Sequence, residues 1–196
     1  MPAQPAIRGF MSRMILDAAR NLPAEKQHQV FPLVPEPVIA LIEATPRLGW
    51  VPLEQNIKLS DALHQVLGDP GFRHFFAGLA ERMMTYPLLQ SFFDGAVRLF
   101  GLTPQAMLKW TSYAWEQAFR DCGKIVYQPR REAVNDGSAE MVLEGFPPAL
   151  LRSGTFPESL AGTFDMYLRR VSKQGRVDIL VTDLEQGRVV YAVSWQ

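Results

Sequence analysis

The single cysteine of this 196-residue chain, Cys122, stands in FRDCGKIVYQP (119–129), and no other stretch holds so capable a nucleophile. A catalytic thiol needs a helix N-terminus or a cationic pocket to hold it as thiolate. The periodicity instead puts Cys122 at the end of a predicted helix, on a stripe with Thr111, Trp115, Ala118 and Phe119. Gln105, Lys109, Ser112, Glu116 and Arg120 form the polar stripe, with Glu116 and Arg120 at a favourable i,i+4 spacing. The helix dipole at a C-terminus opposes an anion, so Cys122 is expected to be a packed, protonated residue.

The other chemical side chains give no constellation. His28, His64 and His74 have no histidine, cysteine or carboxylate partner at a metal-binding spacing on one helix face. His74, beside Phe72, Phe75 and Phe76, reads as the rim of an aromatic core. The sequence holds no Ser-centred elbow, glycine-rich phosphate loop or HExxH. No catalytic residue, metal or cofactor is therefore expected.

Charge and composition narrow the function classes further. Twenty basic and twenty acidic residues cancel, which argues against the positive footprint of a nucleic-acid binder. A lone cysteine forms no internal disulfide, so a reducing compartment, the cytoplasm, is expected. No run approaches the ~20 apolar residues that span a bilayer, and the N-terminus lacks the plan of a secretory signal.

The elements that must carry these residues follow from period and punctuation. Ile7, Phe10, Met11, Met14, Ile15 and Ala18 recur at helical spacing. Pro37 opens VIALIEA, and residues 45–58 read as a loop around Trp50. Ser60 or Asp61 is predicted to cap ALHQVL, and Asp69-Pro70 to open GFRHFFAGLAERMM. Pro87 opens a helix ending at Gly101, and Thr103-Pro104 opens one ending at Gly123.

Beyond Gly123 the period becomes two: KIVYQPR, AEMVLEG, RVDILVT and RVVYAVSW read as strands. Asn135-Asp136-Gly137 joins the first pair, Glu185-Gln186-Gly187 the second, and a helix from Pro157 lies between them. The fold class is α+β: a helical layer on a four-stranded antiparallel sheet, in the order helices, hairpin, helix, hairpin. Residues 1–47 are expected as an N-terminal helical extension and 48–196 as the α+β domain.

One sheet face is expected to carry Ile125, Tyr127, Met141, Leu143, Val177, Ile179, Val181, Val189, Tyr191, Val193 and Trp195. The opposite face mixes charges with Val126, Val142, Leu180 and Val190. Either a partner or a helix covers that row, or strand propensity alone accounts for it.

Two local motifs resemble known sites without completing them. Tyr127, Pro129 and Arg131 match the tyrosine-serine-arginine spacing of haem-based nitric-oxide sensors, with proline in place of serine. RREAVNDGSAEM resembles the binding turn of cyclic-dinucleotide barrels, with Met141 in the glycine position. At a larger scale, PLLQSFFDGAVRLFGLTPQAMLKW, WEQAFRDCGKIVY, LEGFPPAL and RVVYAVSW resemble a paralogous myxobacterial family of unknown function, over residues 48–196. The order of elements is remotely similar to vinyl-reductase-like, haem-nitric-oxide-associated and TRAPP-type domains. That resemblance implies an apolar pocket between helices and sheet and dimerisation through helices.

The expected function is a non-catalytic regulatory or sensory module that binds a small apolar ligand between helices and sheet. Phe92, Phe93, Trp115, Phe119 and Cys122 are the candidate lining. Met83, Met84 and their phenylalanine neighbours could serve as adaptable pocket walls. The alternative is a scaffold subunit that acts through a protein partner or as a homodimer.

Overall fold

A three-residue strand near the N-terminus organises the helical part of the molecule. In the computed structural model, which describes residues 4–84, 90, 95, 101–130, 137–171 and 174–196, β1 (Ala6–Arg8) pairs on both edges. Its neighbours are β2 (Trp50–Pro52) and β3 (Phe119–Arg120), with Ile7 opposite Val51 on one side and Phe119 on the other. Arg8 locks this small sheet from outside. Its guanidinium lies 3.9 Å from the Trp50 ring centre and donates to the Leu48 and Gln117 carbonyls at 2.6 and 3.2 Å.

Three α-helices lie between β1 and β2, and a fourth follows β2. α1 (Gly9–Arg20), α2 (Ala24–Val30) and α3 (Glu36–Ala44) precede β2, and α4 (Leu53–Met84) follows it directly. Ile7, Ile15, Leu16, Val30 and Ile42, all within residues 1–47, belong to the same continuous core as the rest of the chain.

The structure corrects the expected loop over 45–58 and the cap at Ser60 or Asp61. Residues 50–52 pair as a strand, and α4 begins at Leu53 and runs through both supposed cap positions. Burial of Leu53, Ile57, Leu59 and Leu63 outweighs local capping preference. Ser60 donates to the Asn56 carbonyl within the helix, while the Asp61 carboxylate accepts the Thr155 hydroxyl at 2.7 Å, a tie to a different element. Gly68, at φ +66° and ψ 172°, breaks the helix into two segments, so the second segment opens at the expected Asp69-Pro70.

α5 (Pro104–Ala118) opens as expected, with Thr103 accepting from the Ala106 amide at 3.2 Å. It stops four residues short of Cys122, because Phe119 and Arg120 leave the helix to pair with β1. Asp121 and Gly123 then adopt left-handed conformations, at φ +56° and +67°. Arg120 therefore does not stack over Glu116; it lies over the Trp50 ring.

The hairpins are found where the alternating pattern put them. β4 (Lys124–Pro129), β5 (Gly137–Glu144), β7 (Arg188–Trp195) and β6 (Gly175–Asp183) form an antiparallel sheet in the order β4-β5-β7-β6. The Asn135-Asp136 turn lies outside the described residues. Between the hairpins, α6 (Thr155–Val171) is buried on most sides. It crosses α4 so closely that a Cβ on Gly162 would lie 2.4 Å from the Arg73 carbonyl. Arg73 bridges to Glu158, which raises its pKa, and donates to the Val177 carbonyl at 3.3 Å, joining α4, α6 and the sheet.

One strand-face assignment needs correcting. An irregularity between Ile179 and Val181 sets Val181 opposite Val190, and Val181 is 45% exposed. The face opposite α6 thus carries the row Val126, Val142, Val190 and Val181 across all four strands, with Val142 and Val190 already buried in the single chain and Val181 exposed.

The joint between the two halves is a backbone contact at Gly123, where an added Cβ would stand 2.0 Å from the Glu144 carbonyl oxygen. Gly123→Ala combines that clash with a left-handed φ. We expect a loss of about 2–4 kcal/mol of stability by urea unfolding, whereas Gly78→Ala, at a helix-interior position with open space, raises stability by about 0.5–1 kcal/mol.

Candidate functional site

Helices α1, α4, α5 and α6 do not close on one another completely. A cavity of about 110 Å³ remains between them, bounded on one side by Ile7 and Phe119 of the small sheet. It lies among the helices rather than against the four-stranded sheet, none of whose described residues reach it. The aromatic wall is built by packing: Trp115 stacks on Phe119 at 4.2 Å, and Phe156 meets both edge-on at 5.9 Å. Trp115 is held in place by its indole N–H, which donates to the Gly123 carbonyl at 3.1 Å. Met11, Met83, Met84, Leu79 and Leu160 complete the apolar surface.

No described residue lining the cavity is charged. Its polar groups are Asn56 and Ser60 on α4, Thr111 on α5, and Ser159, Thr163 and Tyr167 on α6. The Ser60, Thr111, Ser159 and Thr163 hydroxyls donate to backbone carbonyls of their own helices at 2.7–3.3 Å. Burial pushes the Tyr167 phenol up to about 12, so the ring stays neutral. Among the described residues the wall is uncharged and holds no paired acid and base of the kind that proton transfer requires.

Of the expected lining residues, Trp115 and Phe119 do face the cavity. Cys122 does not line it: the thiol is buried beneath β1, donating to the Arg120 carbonyl at 3.0 Å and toward that of Ala6 at 3.7 Å. Phe92 and Phe93 lie outside the described residues. Met83 and Met84 are in the wall. Apolar periodicity does not single out Asn56, Ser60, Ser159 and Thr163, although each pair sits at i,i+4 within an apolar stripe. That spacing puts two small polar groups on one helix face, and it is the signal by which a sequence could reveal them.

The remaining chemical side chains are dispersed. His64 pairs with Asp69 at 2.6 Å and meets Phe72 edge-on, and His74 borders a surface cleft with Glu81, Arg169 and Arg170. Among the described residues no three His, Cys, Asp or Glu side chains converge as a metal site, and no helix is long and apolar enough to cross a membrane.

Burial pushes the Cys122 thiol up to about 11, partly offset by its bonds to the two backbone carbonyls. At pH 8 only about one molecule in a thousand would carry a thiolate. Native protein is expected to resist a thiol reagent at pH 8 and to react with one equivalent in denaturant. Rapid labelling of folded protein would contradict this placement.

No family model matches the chain, and no curated protein is similar to it. Solved structures are similar over nearly its whole length. An unliganded Fe(II) H-NOX protein from K. algicida has a TM-score of 0.61 at 10% identity, covering 97% of this chain and 97% of that chain. An H-NOX variant from T. Tengcongensis reaches 0.61 at 8% identity, over 97% and 98%. An oxygen-binding H-NOX domain related to soluble guanylate cyclases reaches 0.57 at 8% identity, over 97% and 95%. The remote resemblance to haem-nitric-oxide-associated domains, carried by the order of elements, is thus matched in three dimensions: the chain has the H-NOX fold.

Proposed function

We propose that this chain is a non-catalytic sensory or regulatory module whose ligand, small and apolar, occupies the cavity between α1, α4, α5 and α6. One observation carries the reading: an aromatic-walled space left open between the helices, with no charge among its described lining residues. An empty apolar void forfeits packing energy, and a ligand restores it. An oxygen-binding domain and an Fe(II) protein share this fold, which supports ligand capture at its centre. A reducing compartment such as the cytoplasm suits the buried free thiol.

Haem, which those similar structures bring to mind, does not fit this cavity. Haem iron is held by histidine, cysteine thiolate, tyrosine or a methionine paired with histidine. His28, His64, His74 and Cys122 are the chain's only imidazoles and thiol, and none of them lines the cavity. Tyr167 is a phenol that burial keeps neutral. Met11, Met83 and Met84 remain, with no imidazole beside them. No cation among the described lining residues could meet the porphyrin carboxylates, and Pro129 brings no donor where the sensor motif has serine. The volume also suits one ring: an engineered cavity of ~150 Å³ holds benzene.

A second reading is association through the outer sheet face, with a second copy of the chain as occupant. Beside the valine row, Lys124 adjoins Glu144 and Arg188 adjoins Asp183, so signs alternate across the sheet. Stacking two sheets about an axis along the strands sets Lys124 over Asp183, Glu144 over Arg188 and Val126 over Val181. Sedimentation velocity tests it: a dimer that Val181→Lys dissociates supports this face, and a chain still monomeric at about 100 µM, roughly a hundredfold above a micromolar Kd, removes it.

For the cavity, toluene is the probe. It is expected to bind saturably by calorimetry and to raise the Tm. Ala114→Phe, which grows into the cavity, should weaken binding at least about tenfold while leaving the fold intact by circular dichroism. Equal toluene affinity in both proteins would remove the cavity as the site.

A further inference from the structure

We infer that the cavity's ligand carries a hydrogen-bond donor, an O–H or N–H on a small neutral ring, that pairs with the side chain of Asn56. The inference rests on the reading of the cavity as a ligand site and adds its chemical class. Asn56 is 4% exposed and lines the cavity from α4, yet its Oδ1 has no hydrogen-bond partner among the described residues. A buried amide oxygen without a partner costs stability, and a leucine, with the same branched skeleton and no polar atom, would avoid that cost.

The serine and threonine hydroxyls of the wall do not supply the missing proton. Ser60, Thr111, Ser159 and Thr163 have each given theirs to a backbone carbonyl. The buried amide oxygen of Asn56 is left in need of a donor. Absence of charge from the described wall excludes an ionised ligand, because nothing would offset its desolvation. Trp115, Phe119 and Phe156 offer aromatic faces and edges to a flat ring. A ring of benzene size with one donor, a phenol or an N–H azole, meets each condition.

Phenol and toluene, which differ by hydroxyl against methyl, separate the donor from the ring. Calorimetry on the full chain gives the ratio of their Kd values in wild type and in Asn56→Leu. The preference for phenol is expected to fall about tenfold in the variant, the effect of one hydrogen bond, while toluene binding persists. A ratio unchanged within about twofold overturns the donor inference and leaves the cavity reading standing. Failure of both probes to bind wild type overturns the cavity reading itself, and this inference with it. In ¹⁵N-labelled wild type, which needs no variant to fold, phenol and not toluene should shift the Asn56 side-chain amide resonances. Equal shifts with both probes also overturn the inference.

Discussion

Pairing of β1 on both of its edges is the constraint from which the rest of the helical layer follows. Three residues, Ala6 to Arg8, hold the entrance of α4 through β2 and the exit of α5 through β3. Backbone hydrogen bonds fix these ends in register, and a short strand with two neighbours has no free edge to slip along. With those ends fixed, α6 crosses α4 at Gly162 at a distance only glycine permits. The cavity is the space left beside Ile7 and Phe119, where the described side chains of α1, α4, α5 and α6 do not fill the gap between the helices.

That origin explains the chemistry of the interior. Helix faces that meet around a common core are apolar by necessity, and the small hydroxyls among them are tolerated because each donates to its own helix. The charged groups that bind the layers, Arg73 with Glu158 and Val177, lie where α6 meets the sheet, outside the cavity wall. Structural electrostatics and the candidate ligand space are thereby separated. Asn56 is the exception, a polar group placed on the apolar side of that division.

Much of the four-stranded sheet is legible in the sequence alone. Alternation in RVDILVT and RVVYAVSW, with Gly187 at φ +61°, specifies a hairpin locally. Thr103-Pro104 likewise announces the start of α5. Two helix limits escape local pattern for one reason: Phe119 and Arg120 are compatible with a helix, and residues 50–52 with a loop, until β1 arrives to pair with them. That partner is more than forty residues away from β2 and more than a hundred from β3 in sequence. The Val181 reversal has a similar cause, since a bulge depends on the fit between strands and not on one strand's composition.

By itself the sequence determined the fold class, the hairpins and the burial of the lone thiol, because those follow from periodicity and turn chemistry. It also pointed to Trp115 and Phe119, the apolar side of a well-capped helix. Only the tertiary structure decided that the space beside them stays open, that Cys122 lies outside it, and that Asn56 borders it without a partner. Cavities and unmet hydrogen bonds are properties of how separate elements meet, and contact between elements distant in sequence leaves no mark in the period of any one of them.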